Sequence, residues 1–179
     1  MAESAVASYA ARMGTRKVRP ERAHGPRGLD ATDLRIVAEL QANARVSVAE
    51  LGRRVALSAP AVADRIRRLE ETGVLTGYHA AVAPGALGFP VTILVRIRPA
   101  VRELARIAKI AQEIPEIVEC YRTTGDDCYQ MTLHLRSVER LEPILDQFTP
   151  YGRTTTSLVQ SAPVPPRPLP LLTEDESGS

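Results

Sequence analysis

The chain has no tryptophan, two phenylalanines, two cysteines and three histidines among its 179 residues. Each shortage excludes something. With so few aromatics, the core must be built from Leu, Ile, Val and Ala. Cys120 and Cys128 are too few for a disulfide framework, and they lack the close pairing that marks zinc sites, even with His134 nearby in sequence. No metal site and no cofactor is expected. His24, His79 and His134 fall in three separate segments, so no nucleophile, base and orienting group come together by spacing. There is no glycine-rich phosphate loop of either common type. The expectation is a protein that is not an enzyme and has no catalytic residues. No apolar run approaches the ~20 residues a bilayer span needs, and the first residues lack the basic-then-apolar order of a secretory signal. A cytoplasmic setting without membrane contact is expected.

The formal net charge of +2 hides an uneven distribution. Residues 1–28 hold six basic side chains against two acidic ones, residues 29–82 seven of each, and residues 83–179 ten against twelve. The basic stretch is rich in Arg, Gly and Pro and has no periodicity. It reads as a disordered arm, either one that lies along phosphates or an extension of no consequence. Residues 163–179, proline-rich and then acidic, read as a second mobile tail.

Residues 29–75 carry the most information. Leu34, Val37 and Leu40, then Val48, Leu51 and Val55, then Val62, Ile66 and Leu69 each recur at helical spacing. A polar cap precedes each run: Asp30, Ser47 and Ser58. Ser47-x-x-Glu50 reads as a capping box. Gly73 ends the third helix, where a left-handed backbone is needed. The turn Ala56-Leu57-Ser58 is short enough to favour a helix-turn-helix over a generic bundle.

Turning Val62, Ile66 and Leu69 inward leaves Pro60, Ala61, Asp64, Arg67, Arg68 and Glu71 outward, with Arg65 at the boundary. The leading turn is slim, as entry into a major groove ~12 Å wide requires. Arg65 and Arg68 are then candidates for base edges or phosphates, and Asp64 for a cytosine amino group or for orienting an arginine. Arg45, Ser47 and Ser58 are candidates for holding phosphates. The same outward face also suits a solvated helix carrying internal ion pairs. Residues 74–82 read as a short β-ribbon, or wing, and residues 83–88 as a hinge.

From residue 89 the period changes from helical to alternating. Val91, Ile93, Val95 and Ile97 mark a strand with one buried face. Val101, Leu104, Ala105, Ala108 and Ala111, flanked by Ile107 and Ile114, mark a helix ending before Pro115. Strands follow at 117–124 and 128–135, the second with Tyr129, Met131, Leu133 and Leu135 on one side. A helix carrying Val138, Leu141, Leu145 and Phe148 comes next. Pro143 within it implies a kink or a later start. A Thr-rich strand, 153–161, closes the unit. This β-α-β-β-α-β order over 89–162 is ferredoxin-like. The sheet face carrying Thr92, Leu94, Arg96, Gln130, Thr132 and His134 is neither dry core nor fully solvated. A homodimer through that face is expected, which would also hold two recognition helices about one DNA turn apart.

The ordered series Leu29-Asp30-x-x-Asp33, Leu40-Gln41-x-Asn43-Ala44-Arg45, Glu50-Leu51, Val55-x-Leu57-Ser58, Val62-x-x-Arg65-Ile66-x-Arg68-Leu69-Glu70 and Gly73-Val74-Leu75-x-Gly77-Tyr78-x-Ala80 resembles the Lrp/AsnC (feast/famine) family of transcriptional regulators. The resemblance covers about residues 29–162. It implies an α+β protein: an N-terminal winged helix-turn-helix and a C-terminal ferredoxin-like domain for effector binding and oligomerisation. It also implies dimers that assemble into tetramers or octamers, double-stranded DNA as partner, and an amino acid bound between dimers. The turn near the family's effector site is Gly125-Asp126-Asp127-Cys128 here, with Cys128 where a second Asp is usual. A carboxylate there would pair with an effector's ammonium group, and a neutral thiol would not. Asp126 or Asp127 substitutes, the effector is not an ordinary α-amino acid, or the segment is only a good hairpin turn. An architectural DNA-binding protein without small-molecule response is the alternative function.

Overall fold

The structure is a computed structural model and describes residues 28–171. It divides into two compact units, residues 28–81 with 164–171 and residues 82–163. The basic arm of residues 1–27 and the acidic end at 172–179 lie outside the described residues, as does His24.

Three helices build the first unit: α1 (Ala31–Ala42), α2 (Val48–Val55) and α3 (Ala59–Glu71). Asp30, Ser47 and Ser58 cap them as their sequence positions predict, each accepting from a backbone N–H three residues on. Such caps are worth about 1 kcal/mol each. The reciprocal capping box stands elsewhere than expected. Asp30 accepts from the Asp33 N–H at 2.7 Å while Asp33 accepts from the Asp30 N–H at 3.2 Å. At Ser47 only half of a box forms. The Glu50 carboxylate is taken by Arg53 and Arg54, whose charge-assisted bonds outcompete one neutral amide.

The unit's core is Ile36, Val37, Leu40, Leu51, Val55, Val62 and Leu69. Leu34 and Ile66 are half-buried and Val48 is exposed, so the inward face of α1 is centred on Ile36 rather than Leu34. The turn from α2 to α3 is tight. Ala56 sits in the left-handed region at φ 59°. A Cβ on Gly52 would lie 2.6 Å from the Leu57 carbonyl oxygen. Gly73, at φ 74°, follows α3 as predicted.

The β-ribbon expected over 74–82 does not form. The segment is non-helical and pairs with no strand. A ladder needs a second strand to satisfy its amides, and the bonds made here run back to α3 instead. The Leu75 N–H reaches the Leu69 carbonyl, and the Tyr78 hydroxyl donates to Glu70 at 2.9 Å. The hinge at 83–88 is one turn of 3₁₀ helix, Pro84–Leu87.

The second unit follows the expected order: β1 (Val91–Pro99), α4 (Leu104–Glu113), β2 (Ile117–Arg122), β3 (Tyr129–Leu135), α5 (Leu141–Leu145) and β4 (Gly152–Leu158). The sheet order is β2-β3-β1-β4, with every neighbouring pair antiparallel. Ile93, Val95 and Ile97 join Tyr129, Met131, Leu133 and Leu135 on one face, against Ile107, Ile110, Ala111, Ile114, Ile144 and Phe148. Two helix readings are corrected. Arg102, left-handed at φ 72°, breaks the chain before α4, so Val101 lies outside the helix and is 88% exposed. Within α4, Ile107 and Ile110 take the inner face and Ala105 turns out, since an isoleucine has more apolar area to bury than an alanine. The helix around Pro143 takes the later start. A 3₁₀ turn, Val138–Arg140, precedes α5, and Pro143 falls in the first helical turn, where its missing N–H breaks no bond.

Candidate functional site

The N-terminal face of α3 is narrow. Pro60, Asp64 and Ser58 are exposed and Ala61 is half-buried. Asp64 pairs along the helix with Arg67, so its carboxylate orients an arginine. At the start of α2 the Val48 and Ala49 N–H groups lie beside Ser47; at the start of α3 Pro60 has no N–H and Ser58 takes that of Ala61, which leaves the Ala59 N–H. Arg45 is exposed in the turn before α2, and its N–H bonds the Asn43 side chain at 2.9 Å.

Arg65 and Arg68 are engaged within the chain. Arg65 Nη1 donates to Asp30 at 2.6 Å and to Asp33 at 2.8 Å; Arg68 Nη2 donates to the other oxygen of Asp33 at 2.5 Å. Asp33 is fully buried, the only buried charged residue among those described. Its carboxylate therefore ties α3 to the start of α1. The Arg65 side chain is 28% exposed and that of Arg68 53%, so Arg68 keeps donors facing water. The Arg65 guanidinium, with help from the Asp33 N–H, holds the Asp30 carboxyl below its usual range. Arg53, then Arg54, does the same for Glu50. The sequence reading placed both arginines correctly on the helix but missed what holds them. The signal was there: Asp33 stands three, four and seven residues before Ile36, Val37 and Leu40, on the face that turns inward.

In the second unit, residues 123–128 join β2 to β3. Gly125 is left-handed at φ 99°. Arg98 Nη2 donates to Asp126 at 2.6 Å, and Arg96 lies 3.4 Å from Asp127. Thr123 Oγ1 bonds the Asp127 carbonyl, and the Cys128 thiol reaches back to the Gly125 carbonyl at 3.6 Å. Arg98 was absent from the sequence-based candidates. Strand alternation sets it beside Arg96 on the open face, next to the turn. Among the described residues, no group of three or more His, Cys, Asp or Glu is placed to hold a metal ion.

The open face of the sheet is ordered by its own polar bonds. Thr92 Oγ1 and His134 Nδ1 are 3.0 Å apart, and Thr132 donates to Glu119 at 3.1 Å.

Residues 29–70 match the AsnC-type helix-turn-helix domain, and residues 91–169 match the Lrp/AsnC ligand binding domain. The chain belongs to the Lrp/AsnC family. It is a transcriptional regulator with a helix-turn-helix and a ligand-binding domain. The transcriptional regulator LrpC of Bacillus subtilis is 35% identical over 133 residues, 74% of this chain and 92% of that one. The structure of LrpC superimposes with a TM-score of 0.72, covering 75% of this chain and 96% of LrpC. The proline dehydrogenase transcriptional activator of Rhodobacter capsulatus is 37% identical over 137 residues, 73% and 89% of the two chains. An L-Met complex of a transcriptional regulator from Neisseria meningitidis, 25% identical, gives a TM-score of 0.72 over 80% of this chain and 97% of that one. These Lrp/AsnC relatives are named as regulators. Among the described residues, no helix is long and apolar enough to cross a membrane.

Proposed function

We propose that this Lrp/AsnC regulator acts in the cytoplasm as a homodimer or larger assembly, reads paired half-sites on double-stranded DNA with α3, and responds to an amino acid. The observation that carries the DNA reading is the tight Ala56–Ser58 turn, which presents the slim, capped start of α3. Pro60, Ala61 and Asp64 face bases. Arg45 and the N–H groups beside Ser47 and Ser58 hold phosphates. Arg68, half-exposed and already fixed by Asp33, reaches DNA without losing rotamer freedom. Arg65, more enclosed, acts mainly by holding α3 in place and touches the duplex at its edge.

For the effector, Gly125, Asp126, Asp127 and Cys128 form the candidate loop. The Arg98–Asp126 pair offers a cation and an anion side by side, which suits the carboxylate and ammonium of a zwitterion. With a cysteine at 128 in place of a carboxylate, Asp126 takes the ammonium. The relative solved with L-Met supports this class of ligand. A second copy covers the open sheet face of Thr92, Leu94, Arg96, Gln130, Thr132 and His134, and spaces two α3 helices by roughly 34–36 Å.

The test is binding to DNA from upstream of its own gene against random DNA, at near-physiological salt, with and without pooled amino acids. Preference of several kcal/mol that shifts with the pool supports the whole reading. Preference without a shift retains the DNA reading and rejects the effector. Equal binding to the upstream and random DNA favours an architectural protein. Arg68→Ala should cost roughly 1–3 kcal/mol at one sequence if it reads a base, or weaken all sequences alike and lower the salt slope by about 1 if it holds phosphate.

A further inference from the structure

Strand β4 ends at Leu158, and one more bond, from the Val159 N–H to the Thr92 carbonyl at 3.0 Å, completes its pairing. Residues 160–171 then form no helix or strand. Five of them are proline, at 163, 165, 166, 168 and 170. Proline has no N–H to give a ladder and a fixed φ, so such a stretch stays extended, rising about 3.1 Å per residue.

Residues 164–171 belong to the compact unit of the helix-turn-helix. Leu171 is half-buried against the core of that unit, whereas Leu169 is 77% exposed and Val164 64%. Pro166, Arg167 and Pro168 form one side of a cavity of about 590 Å³. The other side comes from Leu40, Gln41 and Ala44 at the end of α1 and from the segment of Leu75 and Tyr78 that follows α3. One leucine is thus selected from three apolar side chains, and the prolines lie along a groove.

We propose that residues 163–171 are a strap that docks in cis on the DNA-reading unit, with Leu171 as its anchor. It gives the chain a second connection, besides residues 82–90, between the ligand-binding sheet and the helix-turn-helix, covalent at β4 and non-covalent at Leu171. The contact is too small to hold two separate molecules together. On a tether of about 12 residues, however, the local concentration of the strap is in the millimolar range. Its prolines have little backbone freedom left to lose on docking. The dock is therefore populated yet easily released, which suits a segment leaving the end of a strand in the sensing unit. The inference does not depend on which effector binds, or on whether one does.

The test uses the full chain in a Cys120→Ser, Cys128→Ser background, with Gln41→Cys and Arg167→Cys added and a short bis-maleimide as probe. Both positions are exposed and line the same cavity. The expected product is an internal cross-link that keeps monomer mass on a denaturing gel and is lost when Leu171→Asp is added. A cross-link at dimer mass, or none, overturns docking in cis. As a second readout, removal of residues 163–179 should speed amide exchange at residues 75–79 and at the end of α1, and leave β1 and β3 unchanged. Unchanged exchange at 75–79 would overturn the proposal. Neither readout involves DNA, so failure here is distinguishable from failure of the DNA reading.

Discussion

Arg68 donates to Asp33 at 2.5 Å across the helix-turn-helix, and Asp33 has no exposed surface. Arg65 binds the other oxygen of the same carboxylate. One buried anion thus fixes two cations of α3, the helix proposed to meet DNA. Its position along α1 therefore sets where both guanidinium groups sit.

Asp33→Asn keeps the shape and removes the charge. Two arginines lose a charge-assisted partner, and the fully buried site becomes imperfectly paired. The helix-turn-helix should lose roughly 2–4 kcal/mol. Urea unfolding of the full chain, followed by amide exchange in α1 and α3, measures this. A loss under about 0.5 kcal/mol would mean that the carboxylate holds nothing together.

The turn after α2 carries two opposite sensitivities. Gly52→Ala would drive a methyl to 2.6 Å from the Leu57 carbonyl oxygen, a backbone atom with little room to move. A destabilisation of about 1–3 kcal/mol is expected, with weakened DNA binding. Ala56→Gly should do the reverse, because a left-handed alanine costs roughly 1–2 kcal/mol and glycine relieves most of that. Thermal melts of the two variants should move in opposite directions.

Acid should release Asp30. Its carboxyl is held low, first by Arg65 and then by the Asp33 N–H. A depressed carboxyl contributes stability above its unfolded pKa of about 3.9, and loses it as pH falls through the lower folded value. Carbon-detected NMR titration should find Asp30 below the ordinary range. In Arg65→Gln it should rise towards the ordinary value, and an unmoved titration would remove Arg65 as the cause.

Tyr78 responds at the other end of the scale. Burial, then the hydrogen bond to Glu70 and its charge, pushes the phenol up to about 12. The neutral ring's contribution is complete below the unfolded value of about 10 and disappears as pH rises through 12. Labelled-tyrosine NMR should place the Tyr78 titration near 12, brought down in part by Glu70→Gln. If Tyr78 ionises near the ordinary value of about 10, its hydroxyl is not held by Glu70 as described.

What could be read beforehand was local. Caps at Asp30, Ser47 and Ser58, the alternation of Val91 to Ile97 and of Tyr129 to Leu135, and the left-handed Gly73 all follow from one stretch of backbone and its own period. What could not be read depended on distant partners. The 74–82 segment has the composition of a strand, but among the described residues no strand pairs with it, and two of the three residues across from it, Pro166 and Pro168, have no N–H to give. Glu50 is spaced for a capping box and is drawn off by Arg53 and Arg54. Arg65 and Arg68 point as their helical phase requires, yet the anion they meet comes from 32 and 35 residues earlier in the chain. Residues 163–179 read as a mobile tail, and nothing in their composition indicates that Leu171 finds a core.

The sheet order has a mechanical consequence. Strand β1, which the hinge enters, is gripped by β3 on one side and β4 on the other. A load arriving through residues 82–90 falls on a strand held along both sides, whereas one arriving through residues 159–171 falls on β4, held by β1 alone. The two tethers of the DNA-reading unit thus differ in compliance. The hinge end is a stiff anchor, and the strap end is the one that yields first.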